Sequence, residues 1–443
     1  MRRVWVAALA IAAVFTAPSA DASPEDLFGY GGRTSAMGAT GAAHSNGYEA
    51  AFHNPALASP YKHNQPYKLT LGYGGAVFRL DANGPGLPGR VSVLPNAGFL
   101  IGAELPLPFG GVLTDRLGAS FAFYTPSDVI VRGRVLYPET TQFPLLPDRA
   151  ESLTVRGGLG ANIGWGFKVG VGFAALAEIV GNVVAATDAT GRVGTRVEDQ
   201  LVATYAPVLG VTYDLPQSLD THLRIGLAYR GTLDARFAVV VDGTKLSSLQ
   251  IPLFNISGLA QYDPAQYVLE VARIDAALKN TLALQLVYKK WGDFPGVLEP
   301  TVVCNEGGAG ACGIVPPTIP WRDTFVIRVG AEQGFAIARG ATLHARGGGF
   351  FEKSPLPDEV PAGEAFSPAD KGVIAVPTRY YDSDRVALTA GTGLSLASPL
   401  PPIDVDLWFQ YHVLLPRTIS SNGSSGEASG FIAAWGLTAG VKF

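Results

Sequence analysis

Between Phe431 and Phe443 the apolar residues fall on alternate positions. Phe431, Ala433, Trp435, Leu437, Ala439, Val441 and Phe443 share one face of an extended strand. Ala434, Gly436, Thr438, Gly440 and Lys442 take the other, with Ile432 the one large apolar residue among them. Side chains alternate across a strand, so this is an apolar face backed by a small or polar one. The pattern recurs upstream. Leu223, Ile225, Leu227 and Tyr229 oppose Arg224 and Arg230, and Leu282, Leu284, Leu286 and Tyr288 oppose Gln285 and Lys289. Phe325, Ile327 and Val329 oppose Arg328 and Glu332. From Ile403 to Val413 every odd position is apolar, while Asp404, Asp406, Gln410 and His412 point the other way. A half-buried strand of a soluble sandwich would alternate similarly. An aromatic carboxy-terminal residue favours instead a bacterial outer-membrane barrel, whose closing strand is read by the barrel-assembly machinery.

Extended along the chain, the pattern predicts fourteen strands: 67–80, 93–105, 117–125, 150–164, 168–186, 197–214, 223–242, 265–275, 281–292, 322–334, 341–352, 384–397, 403–414 and 429–443. An even number suits a single-chain bacterial barrel. The connections 126–149, 243–264, 293–321, 353–383 and 415–428 are long, and 215–222, 276–280, 335–340 and 398–402 are short, with 81–92 and 187–196 short for outer loops and 106–116 long for an inner turn. Long loops on one rim and tight turns on the other are the outer-membrane pattern. The expected fold is therefore all-β, a 14-stranded antiparallel transmembrane β-barrel.

Charged residues are 16% of the chain, and there are 54 glycines. An ordinary soluble protein carries roughly 25% charged residues. Past residue 22 no apolar run is long enough for a membrane helix, so the apolar content is spread over short strands. The formal net charge of −4 argues against a nucleic-acid partner. Residues 1–22 read as a signal peptide, with Arg2 and Arg3 ahead of an apolar stretch from Val4 to Phe15 and small residues at Ala20 and Ala22. Such a leader exports the chain, and the barrel pattern then places it in the outer membrane of a Gram-negative cell, in contact with its lipid. In an exported protein, Cys304 and Cys312 read as one disulfide across a Gly-rich loop. No metal site or cofactor is expected.

No strand is predicted before Tyr67, which leaves 23–66 as a separate element and 67–443 as the barrel. A fourteen-strand barrel is wide enough to need filling, and the segment 23–66 is the right size for an internal plug, or hatch. It holds a Gly-rich stretch with Gly31, Gly32, Gly38 and Gly41, then Asn54-Pro55-Ala56. A phosphate cradle would need a flanking strand and helix that the pattern does not supply.

This arrangement resembles the FadL/TodX family of outer-membrane transporters for long-chain fatty acids and other hydrophobic compounds. Those proteins carry a Gly-rich stretch and an Asn-Pro-Ala motif in a hatch inside a fourteen-strand barrel. The stretches beginning at Trp165, Tyr288, Trp321, Lys353 and Asp382 are similar to the family's strand and loop signatures, in the same order. The resemblance implies a protein that binds a fatty acid or hydrocarbon in the barrel and releases it sideways beside the hatch. Asn54, Pro55 and Ala56 would then form a gating motif. The family's exit lies at a kinked third strand, for which Gly118 is the matching bend.

Catalysis finds little support, because the six histidines are scattered and no nucleophile elbow is present. If the solute is a carboxylate, an inward Arg or Lys can hold its head, and Arg224, Arg230, Lys289, Arg328 and Arg346 are the candidates. The apolar run in 243–264 can line a capture groove or form an amphipathic helix on the rim. The competing reading of the whole chain is a porin-like or structural barrel without specific hydrophobic transport.

Overall fold

The computed structural model describes residues 24–60, 65–93, 95–127, 137–147, 153–187, 193–216, 221–245, 254–297, 317–367 and 372–443. The expected signal peptide and the Cys304–Cys312 pair lie outside them. The strands are β1 (Lys68–Asn83), β2 (Gly89–Val91), β3 (Asn96–Pro106), β4 (Leu117–Pro126), β5 (Thr154–Gly164), β6 (Phe167–Thr187), β7 (Val193–Pro216), β8 (Thr221–Arg230), β9 (Leu233–Lys245) and β10 (Phe254–Asp263). They continue with β11 (Gln266–Asp275), β12 (Asn280–Lys289), β13 (Thr324–Ala338), β14 (Ala341–Glu352), β15 (Gly363–Ser367), β16 (Gly372–Val376), β17 (Arg385–Leu396), β18 (Ile403–Ser421) and β19 (Ser424–Lys442).

Fourteen of these close an antiparallel barrel. Its seam is β1 against β19, paired from Lys68↔Lys442 to Asn83↔Glu427. Closure removes the sheet edge, so every wall strand finds partners on both sides, as hydrocarbon demands. Outward positions carry an apolar belt that includes Leu71, Phe99, Leu159, Leu284, Ile327 and Leu388, all exposed. Aromatic rings pair across its borders, Tyr67 with Phe443 at 6.0 Å and Tyr411 with Phe431 at 5.4 Å between centroids. A closed barrel with an apolar belt between aromatic girdles is a transmembrane barrel.

Four expectations need correction. The stretch 223–242 is not one strand. β8 ends at Arg230, and β9 leaves the barrel to pair with β10 and, in parallel, with the upper part of β6. The Gly231 amide donates to the Pro207 carbonyl at that break. Within 243–264 the described residues belong to the end of β9 and to strand β10, so Phe254, Ile256 and Leu259 stand on a strand and not on a helix, while 246–253 of the apolar run lie outside the described residues. Connection 415–428 is no long loop, since β18 and β19 continue as a hairpin beyond the belt. They meet at Asn422-Gly423, with φ of 47 and 73, the left-handed pair that a tight hairpin turn requires. Finally, no β-bulge stands at Gly118, since β4 pairs with β3 and with β5 there without a register shift.

Candidate functional site

Residues 24–60 run inside the barrel as short helical turns joined by glycines. With so few intrahelical bonds, most backbone polar groups of this hatch must find partners on the wall. The wall supplies them from inward side chains. On β11, Glu270 accepts the amides of Gly41 and Ala42 at 2.7 Å each and of Ala43 at 3.1 Å. Thr389 accepts the Gly38 amide and donates to the Ala36 carbonyl, both at 2.8 Å. Gln410 donates to the carbonyls of Phe28 and Ser35. None of these three stands out in the sequence, where an inward polar residue on a strand looks the same whether it faces water or a plug.

The hatch glycines sit at close contacts, Gly32 and Gly38 against the wall and Gly31 and Gly41 within the hatch. Gly38 has φ 68, and a Cβ there would overlap the Val329 carbonyl, so both its conformation and its surroundings exclude a side chain. Gly31 and Gly32 lie against Glu49 and against Asp406 and Thr438, and Gly41 lies against the His53 ring. Gly118 belongs to the same class. Its missing side chain makes room for the Ala58 carbonyl of the hatch, which is why a glycine stands there in an otherwise regular strand.

Asn54 joins hatch to wall. Its Nδ2 donates to the Ala42 carbonyl at 2.7 Å and to the wall carbonyls of Val211 and Leu227 at 3.2 and 3.3 Å. Its Oδ1 accepts the Ala56 amide at 3.1 Å. Pro55 holds Asn54 in an extended conformation, φ −165 and ψ 107. Pro55, Ala56 and Leu57 form the short turn that follows, fully inside the barrel.

The five candidate cations all face inward and all are engaged. Arg224 pairs with Asp214 at 2.5 Å, and Arg346 bridges Glu332 and Asp406 at 2.6 Å each. Lys289 pairs with Asp26 of the hatch at 2.8 Å and with Glu352 at 2.6 Å. Arg230 donates to the Phe52 carbonyl and stacks over the Phe52 ring at 4.2 Å, and Arg328 donates to the Ala39 carbonyl. In this state they hold the hatch and its neighbouring carboxylates.

The interior is unequal along its axis. Toward the short turns it is ionic, with Lys68 and Lys442 on Asp404 at 2.6 and 2.7 Å and Arg33 of the hatch on Glu332 at 2.9 Å. Toward the long loops lies an apolar core in which Phe143, Leu146, Trp291, Trp321, Leu356 and Tyr380 pack over Leu27 and Phe28. The first hatch helix, Pro24–Phe28, serves both layers. Its acids Glu25 and Asp26 face Arg156 and Lys289 on the wall, while Leu27 and Phe28 enter the apolar core. Below Phe28, against the inner wall at β1, lies a cavity of about 70 Å³.

No family model and no curated protein matches the sequence. Among solved structures, a Pseudomonas aeruginosa FadL homologue is similar at 15% identity with a TM-score of 0.55, covering 96% of this chain and 99% of that one. The P. putida toluene transporter TodX is similar at 13% identity with a TM-score of 0.52, covering 94% of this chain and 99% of its own. A mutant of the TodX monoaromatic hydrocarbon channel gives 13% and 0.54 over 94% of this chain. The fold expected from the resemblance is the fold these structures share with the chain.

Proposed function

We propose that this protein is an outer-membrane channel of a Gram-negative bacterium. It takes up long-chain fatty acids or related hydrophobic compounds, binding them inside the barrel and releasing them sideways under control of the hatch. One observation carries the reading: an apolar core under the long loops is closed below by the hatch and by a layer of ion pairs. An apolar solute leaves water readily for the first region. Passing straight through the second would strip paired charges of their partners, which is costly. A solute admitted from outside is thus held in the upper half and directed toward the wall. The TodX structures named above are of a transporter and a channel, and the reading assigns this chain no reaction.

The test is to purify the protein from outer membranes and identify co-purified molecules by mass spectrometry, alongside conductance in planar bilayers. A bound fatty acid or hydrocarbon with low conductance supports the reading. A freely conducting pore with no bound apolar molecule supports the porin-like alternative and overturns it.

A further inference from the structure

The outer face of the wall is hollowed where β7, β8, β11 and β12 run side by side. A groove of about 470 Å³ lies there between two registered rows of outward side chains. The upper row is Tyr229, Tyr267 and Tyr288, partners across the ladder with ring centroids 5.2 and 6.2 Å apart. Leu227, Leu269 and Leu286 form the lower row in the same register. Between the rows the groove is lined by Gly210 and Ala228. Small-molecule sites typically enclose ~300–1,000 Å³, so the hollow is large enough for a specific ligand.

Its depth in the membrane follows from the strands. β8 and β12 end at Arg230 and Lys289, next to the tyrosine row, and beyond Lys289 the chain enters the long connection toward β13. At ~3.3 Å per residue the lower row sits about 10 Å below Arg230. The groove thus occupies the outer half of a belt ~25 Å tall. Its lining side chains are apolar except for the tyrosine hydroxyls, all on the upper row. Tyrosine rows mark the boundary between hydrocarbon and headgroups. Above this one stand Lys290, paired with Asp293 at 2.8 Å, and the exposed Arg322. An apolar slot, then hydroxyls, then cations match an acyl chain, its ester or amide linkage and a phosphate, in that order. The floor is fixed from within, because the Val211 and Leu227 carbonyls accept from Asn54 on the lumen side. A groove already formed costs no rearrangement when a chain enters. A chain lying in it gains dispersion contacts on several sides, which a convex wall does not give.

We propose that this groove binds one acyl chain of an outer-leaflet lipid, which in a Gram-negative outer membrane is lipopolysaccharide. Tyr229 and Tyr267 lie at the depth of the chain's linkage, and Lys290 and Arg322 at the depth of the phosphates. The bound lipid differs from the fluid annulus in staying with the barrel. The site is on the outside of the wall, so it stands or falls independently of the uptake reading.

Native mass spectrometry of the full protein tests this, in phosphatidylcholine nanodiscs supplied with equal amounts of lipid A and phosphatidylglycerol. The parent should keep one lipid A at collision energies that strip phosphatidylglycerol. Leu269→Trp fills the groove, and Tyr267→Ala removes the middle of its upper row; each should lower that retention several-fold. Leu388→Trp, at an exposed belt position of β17, should retain lipid A as the parent does. Heat-modifiable migration should stay parental throughout, since these side chains face outward, and either groove variant decides alone should the other fail to assemble. Parental retention in the groove variants, or an equal loss in Leu388→Trp, overturns the site. So does a parent that keeps neither lipid or keeps both alike. A dimer surviving in place of the lipid would give the groove to a second copy and overturn it as well.

Discussion

Glu270 accepts the backbone amide of Ala42 at 2.7 Å, with the amides of Gly41 and Ala43 on the same carboxylate. Consecutive amides converging on one anion form a nest, and here the anion belongs to the wall and the nest to the plug. The carboxylate is fully buried, so removing it leaves the amides without partners in a dry site. Hydrogen bonds to a charged group contribute about 1.5–3 kcal/mol each. Glu270→Ala should therefore undock the middle of the hatch, raising single-channel conductance in planar bilayers while the heat-modifiable gel shift of the folded barrel persists. Glu270→Gln retains one acceptor oxygen and should show a smaller rise. Parental conductance in Glu270→Ala would show that the nest holds nothing in place.

Gly118 faces the Ala58 carbonyl across a space that admits no side chain. The strand itself would welcome a β-branched residue. Gly118→Val should thus leave barrel assembly intact and displace the end of the hatch, which is measured as faster proteolysis of the segment 50–66 in the folded protein. Misassembly of the barrel instead would mean that the glycine serves the wall rather than the plug.

How much was legible follows from which physics each feature uses. The strands were readable where one face meets lipid and the other a filled lumen, as in Leu223–Tyr229 or Ile403–Val413, because burial imposes period two. Outside the belt that constraint vanishes. There the pattern merges β9 into β8 and leaves β10 and the Asn422-Gly423 turn, itself a strong local signal, inside expected loops. Asn54 was singled out by its motif. Glu270, Thr389 and Gln410, which hold the same hatch, carry no motif, since their partners are backbone groups hundreds of residues away or reached only through closure of the barrel.

The loop above the apolar core carries a pH response. Asp382 is buried just ahead of β17 and accepts the Ser354 hydroxyl at 2.6 Å, tying the two ends of connection 353–383 together. Burial raises its pKa from 3.8 to about 6, against the opposing effect of the Ser354 hydrogen bond. A raised pKa means that the fold prefers the protonated acid. Its stabilising contribution is complete below the ordinary value of 3.8 and is lost as pH rises through about 6. At about 1.4 kcal/mol per pKa unit, the loss approaches roughly 3 kcal/mol by neutral pH. Hydrogen exchange in peptides covering Leu356–Pro361 and Thr378–Tyr381 should quicken between about pH 4 and 6 beyond the intrinsic base-catalysed trend. Asp382→Asn, which stays neutral, should abolish that excess; an identical excess in the variant would assign it elsewhere.

Asn54 offers two amide protons to three carbonyls, of which Ala42 belongs to the hatch and Val211 and Leu227 to adjacent wall strands β7 and β8. Such shared donation is weaker per contact than a single bond, but it spans three segments that must part if the hatch is to move. Pro55 limits the cost of holding this geometry, because it restricts Asn54 to extended conformations before any bond forms. Barrel stability has a different origin, in the closed ladder and the apolar belt, neither of which includes the motif. The double variant Asn54→Ala, Pro55→Gly should therefore separate the two properties. Cellular uptake of oleate or toluene should drop several-fold, and the folded barrel should keep its parental gel migration. Addition of the single-residue effects would be expected for independent contacts; a double variant no worse than Asn54→Ala alone would place Pro55 as the support of Asn54 rather than a separate anchor. Normal uptake by the double variant, or failure of the barrel to assemble, would remove the gating role from Asn54-Pro55-Ala56 altogether.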